Sequence, residues 1–197
     1  MTSIIDAVVT IWVLCIPIFV LVAFCMGRRK GIITAVLLGA VSGFFLLIQP
    51  DLGIPVREAT KSDWNPKSFW HEPWGASVVH RGIDIFAKAG TDVVSPTGLY
   101  VIYTGENPVS GKFILAIDRS FRVHFFAHLQ SIKVKPFALA NKGVTVGAVG
   151  DTGNARGKPP HLHYGLASMI PQPWLMTGET RGHLRAFYLN PEDYFRF

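Results

Sequence analysis

The chain has 197 residues, room for one domain of common size, about 100–150 residues, with a smaller appendage. Its formal charge is +6 but no Lys/Arg stripe interleaves with aromatics, which argues against a nucleic-acid partner. The excess of positive charge suits a basic solvated surface, or attraction to a polyanion such as a cell wall or anionic lipid heads.

The apolar residues concentrate in the first fifty positions. Ile4 to Met26 is apolar apart from Asp6 and Thr10, and is long enough to cross a bilayer, which takes about 20 residues. Gly27-Arg28-Arg29-Lys30-Gly31 follows, then a second apolar run from Ile32 to Ile48. Its small residues Gly39, Ala40, Ser42 and Gly43 suit close helix packing. The expectation is a transmembrane helical hairpin over residues 1–50, with spans at about 4–26 and 32–50 in contact with the lipid bilayer. A cleaved signal peptide fits poorly, because the positive charges follow the first apolar run instead of preceding it. With its basic residues in the connecting turn, the hairpin places that turn in the cytoplasm. Everything after residue 50 then faces the periplasmic or extracellular side of a bacterial inner membrane. Cys15 and Cys25 both fall in the first run, about 15 Å apart along one helix, too far to form a disulfide.

Residues 51–78 change character. Pro55, Pro66 and Pro73 alternate with Trp64, Trp70 and Trp74, and no period of strand or helix is visible. This reads as a connector whose tryptophans seat at a membrane interface or cap the next domain. A flap over an active cleft is the alternative. From residue 79 to 197 short β-type runs are separated by Gly and Pro, among them 98–103, 112–117, 122–127 and 143–150. That spacing predicts a mainly β, antiparallel domain with a C-terminal tail.

Two histidine groups carry the chemistry. His161-Leu162-His163 opens a β-like run, where residues i and i+2 share a face. His80-Arg81-Gly82-Ile83-Asp84 offers a second pair at i and i+4, with Gly82 leaving space between them. His, carboxylate and His form a common zinc set, and three protein ligands plus water is the catalytic arrangement. Taken alone, His-x-His fits two partly exposed strand histidines equally well.

The surrounding residues sharpen the reading. His80 to Asp84, the stretch Ala89 to Gly98, Phe126-Ala127-His128-Leu129, Val146 to Asn154 and Pro160-His161-Leu162-His163-Tyr164 come in the order and spacing of the lysostaphin-type (LytM-domain) zinc endopeptidases, which the segment 79–168 resembles. The resemblance implies an antiparallel β metallopeptidase domain, one Zn²⁺ per chain held by His80, Asp84 and His163, and catalytic roles for His128 and His161. It also implies a peptidoglycan peptide as substrate. Zinc lowers the pKa of a bound water toward about 7, and histidine is the side chain best suited to move protons there. Phe126 departs from the family's usual Tyr, so a hydroxyl near the groove is expected to be missing. His124 reads as a cleft residue or a cross-strand partner, and His71 and His183 as surface residues. The combined expectation is a membrane-anchored zinc metalloendopeptidase acting on the cell wall. Its rivals are a non-catalytic module binding peptidoglycan or a hydrolase, and a zinc peptidase acting on a protein substrate.

Overall fold

The computed structural model describes residues 28–47 and 50–196, and the chain divides into two units, Met1–Gln49 and Pro50–Phe197. In the first, α1 spans Arg28–Leu47. Arg28, Arg29 and Lys30, expected in a turn, form the first helical turn instead, in keeping with the good helix propensity of both residue types. The expected first span, 4–26, lies outside the described residues. Among the described residues no helix is long and apolar enough to cross a membrane, so the two-helix hairpin finds no support there.

The second unit is mainly antiparallel β. Its strands are β1 (Ile83–Phe86), β2 (Asp92–Val94), β3 (Leu99–Asn107), β4 (Gly111–Asp118), β5 (Arg122–Leu129), β6 (Ser131–Ile132), β7 (Leu139–Ala140), β8 (Thr145–Ala148), β9 (His161–Ser168) and β10 (Tyr188–Leu189). The larger sheet runs β1-β9-β5-β4-β3-β7, with β10 also paired to β9; the smaller runs β2-β8-β6. Strand β9 is central because alternate residues Leu162, Tyr164 and Leu166 are fully buried against Ile83, Ile114, Phe126 and Leu189. Its other face carries His161 and His163. The β3–β4 hairpin closes on Asn107, whose side chain accepts from the amides of Val109 and Ser110 at 2.9 and 2.7 Å.

One glycine is dictated by a close approach. A Cβ on Gly82 would lie 2.6 Å from the carbonyl oxygen of Tyr164 and 3.0 Å from a ring carbon of His163. Only glycine lets the chain leading into β1 run this near to β9.

The connector and the tail complete the core. Leu52, Val56 and Trp64 are buried in it, as are Leu189 and Phe195. Leu52 and Phe195 form a parallel bridge, and the Phe195 ring lies between Trp64, 5.6 Å away, and Tyr164, 6.1 Å away. The tryptophans of the connector therefore cap the domain: Trp64 and Trp70 are buried, and Trp74 is partly exposed.

Candidate metal centre

Three side chains converge where β1 pairs with β9. Asp84 and His163 are direct cross-strand partners, and Asp84 Oδ1 lies 2.8 Å from His163 Nδ1. His80 reaches the same point from outside the strand: its Nε2 is 3.1 Å from Asp84 Oδ1 and 3.0 Å from His163 Nδ1. On a continuous strand His80 and Asp84, at i and i+4, would share one face. In fact β1 starts at Ile83, and His80 is fixed by backbone pairing to the connector, its N–H donating to the His71 carbonyl at 2.9 Å and its carbonyl accepting from Trp70 at 2.7 Å.

The protonation pattern suits a cation. The His80 Nδ1–H donates to the Ser68 carbonyl at 2.9 Å, which leaves Nε2 as a lone pair aimed at the cluster. Burial pushes the Asp84 carboxyl up, but hydrogen bonds and charge from His163 and His80 outweigh it and hold the group well below the usual carboxylate range. Burial pulls the His163 imidazolium pKa down, favouring the neutral ring that a metal requires. One carboxylate and two imidazoles, their donor atoms within 4.8 Å of one another, form a set that matches the ligand chemistry of zinc.

His128 and His161 stand beside this set. Their rings are 5.1 Å apart, and His128 is 6.0 Å from His163. His128 should, by strand alternation, face the core with His124 and Phe126. Its φ of +63° and a register shift between β4 and β5 turn it toward the metal side instead. Each ring has a fixed tautomer. His128 Nδ1–H donates to the Thr152 carbonyl at 3.0 Å and His161 Nδ1–H to the Pro159 carbonyl at 2.8 Å. Both Nε2 atoms remain acceptors in the neutral form. Burial, followed by the nearby His163 and His161, lowers the His128 pKa to about 4.

The histidines of weaker expectation separate cleanly. His124 is fully buried on the core side and is not a cleft residue. Its Nδ1 lies 2.7 Å from the Tyr164 hydroxyl and its Nε2 lies 3.3 Å from Asp118, whose carboxylate also accepts from Arg122 Nε at 2.7 Å. Phe126 is buried beside it, so the missing hydroxyl belongs to the core and not to a groove. His71 and His183 are exposed, as are Arg156 and Lys158 in the loop before β9.

Two contributors escaped the sequence reading. Trp74 stacks on the His80 ring, with centroids 3.9 Å apart and planes 24° apart. The Ser68 carbonyl orients the same imidazole. A tryptophan shortly before a histidine motif is a faint signal, and a backbone carbonyl gives none.

The model of Peptidase family M23 matches residues 78–172. The chain is 33% identical over 146 residues to the L-Ala--D-Glu endopeptidase of Bacillus subtilis, covering 65% of this chain and 44% of that protein. It is 31% identical over 87 residues to the peptidoglycan DD-endopeptidase ShyA of Vibrio cholerae, covering 44% of this chain and 20% of that protein. The chain thus spans less than half the length of either relative. The catalytic domain of lysostaphin from Staphylococcus simulans shares the fold, with a TM-score of 0.51 at 22% identity over 64% of this chain and 87% of that one. With His80, Asp84, His128, His161 and His163 all inside the matched segment, residues 78–172 belong to Peptidase family M23.

Proposed function

We propose that the protein is a zinc-dependent endopeptidase that hydrolyses peptide bonds in peptidoglycan. The convergence of His80, Asp84 and His163 beside two further histidines of fixed tautomer carries this reading. The two relatives named as endopeptidases of L-Ala–D-Glu and peptidoglycan bonds support the substrate class. Zinc in this site would supply an activated water and polarise the scissile carbonyl. The chain's own histidines would do the proton work. Nε2 of one of the two rings, His128 or His161, accepts a proton from the attacking water, and that same proton, passed on directly or by way of the other ring, goes to the leaving amine. All five positions are filled, which disfavours a purely binding module.

The test is mass spectrometry of wall fragments incubated with the protein, with and without chelator. New amine termini that vanish on chelation are expected. Digestion by zinc-free protein would sink the reading.

We further propose attachment to the outer side of a bacterial cytoplasmic membrane. The apolar run from Ile4 to Met26 and the basic residues Arg28 to Lys30 support it. Carbonate extraction of cell membranes checks this: an integral protein stays in the pellet, and release into the wash overturns the attachment.

A further inference from the structure

The end of the large sheet opposite the metal centre carries an exposed apolar loop. Residues 135–144 leave Phe137 73%, Leu139 81% and Val144 45% exposed, and Tyr100 of the adjoining β3 is 40% exposed. Tyr100 and Leu139 are cross-strand partners, and the rings of Tyr100 and Phe137 lie 6.4 Å apart, so these side chains form one patch. Phe137 holds a φ of +69°, an uncommon backbone state for a bulky residue, and holds it while pointing an aromatic ring at solvent. Lys135 and Lys142 flank the patch, and the loop contains no acidic residue. Large exposed apolar groups rimmed by cations mark a contact surface.

The position of this loop identifies what it meets. Gly53 donates to the Pro96 carbonyl at 2.9 Å, and Gly143 and Val144 pair with Ser95 through bonds of 2.8 Å. The stem of Lys142 packs beside Gly53, close enough that a Cβ there would sit 3.4 Å from its Cε. The lysine-flanked loop therefore lies beside Gly53, in the first residues of the second unit. The pairing register then runs from Leu139 through Tyr100 and Ile117 to Val123 in one row, whereas His163 pairs with Ala127. Four residues along β5, roughly 13 Å, separate the rows.

We propose that the 135–144 loop is a docking surface for an anionic lipid bilayer. Phe137 and Leu139 enter the headgroup boundary, Lys135 and Lys142 meet the lipid phosphates, and the metal centre faces away from the membrane. A soluble polyanion would satisfy the lysines but leave the apolar side chains in water, which favours lipid as the occupant. The proposal rests on the membrane attachment argued above and is independent of the peptidase reading.

The test uses the full chain with Cys15→Ser and Cys25→Ser, an environment-sensitive fluorophore on Leu139→Cys, and a control label on Glu106→Cys at the metal end of β3. The protein is reconstituted with vesicles of phosphatidylglycerol and phosphatidylcholine, or of phosphatidylcholine alone, carrying a lipid-borne quencher. The expected result is co-flotation, with emission at 139 rising severalfold, shifting to the blue and being quenched in anionic vesicles. The signal at 106 stays that of water, and Lys135→Glu/Lys142→Glu abolishes the change at 139. Co-flotation with the 139 label in water, equal immersion in neutral vesicles, or equal immersion at 106 overturns docking while leaving attachment intact. Failure to co-float overturns both.

Discussion

Trp74 shows how much of a candidate metal site can lie in residues that supply no ligand atom. Its indole covers His80 at 3.9 Å while the Ser68 carbonyl holds the ring's other nitrogen, so the imidazole has little rotational freedom. Loss of such supporting contacts commonly costs 10- to 100-fold in metal affinity, and we expect Trp74→Ala to weaken zinc binding by about tenfold. Trp74→Phe should recover most of that, since a phenyl ring can also stack. Competition against a chromophoric chelator measures both. The melting temperature of the metal-free variants should stay near the parent's, because Trp74 is 37% exposed and lies outside the core. His163→Ala, by contrast, should abolish stoichiometric zinc. At this scale the sequence was legible where chemistry and spacing sit in one short side-chain motif, as in His80-x-Gly82-x-Asp84 and His161-x-His163. It was silent on Ser68, Thr152 and Pro159, whose carbonyls orient His80, His128 and His161, because any residue type offers a carbonyl.

At the scale of elements, β5 shows why strand patterns mislead near a site. Alternation puts His124, Phe126 and His128 on one face, yet the bulge at His128 turns it toward His161 and His163 and leaves the other two in the core. Nothing in the local sequence, with no glycine at that position, announces the left-handed backbone. Asp118 at the end of β4 and Arg122 and His124 on β5 form a buried ionic group. Burial pushes the Asp118 carboxyl up, but a hydrogen bond and charge from His124, with Arg122 adding charge, outweigh it and lower its pKa to about 2. A carboxylate depressed in the folded state stabilises above its unfolded pKa and loses that contribution as pH falls. The window therefore runs from about pH 4 down to about 2, and the carboxylate contributes about 2 kcal/mol above it. Urea midpoints should fall for the parent across that window. Asp118→Asn should start lower at pH 7, since it strands the buried Arg122 charge at a cost of about 3–5 kcal/mol, and should then change less with acid. An equal acid loss in both proteins would show that the stability lies elsewhere.

The second unit as a whole is larger than its family segment, and this sets what can fold. The segment matching Peptidase family M23 ends at residue 172 and begins at 78, yet the core it encloses takes Leu52, Val56 and Trp64 from before it and Leu189 and Phe195 from after it. These five side chains are each no more than 4% exposed. Among them Leu52 bridges Phe195, and the Phe195 ring packs on Trp64 and on Tyr164, the neighbour of His163. Removing one large core side chain costs about 2–5 kcal/mol, against a typical total stability of about 5–15 kcal/mol. A fragment limited to residues 78–172 therefore loses more than the fold can spare, along with the Ser68 carbonyl and Trp74 that steady His80. Residues 50–197 should melt cooperatively with sharp near-ultraviolet dichroism, whereas 78–172 should keep β signal without that sharpness and bind zinc poorly. The single change Phe195→Ala should fall between them, lowering stability by about 3–5 kcal/mol. A cooperative melt and full zinc affinity for the short fragment would show that the connector and tail are dispensable. The expected outcome makes them part of the metal centre's support, reaching it through Tyr164 on one side and His80 on the other.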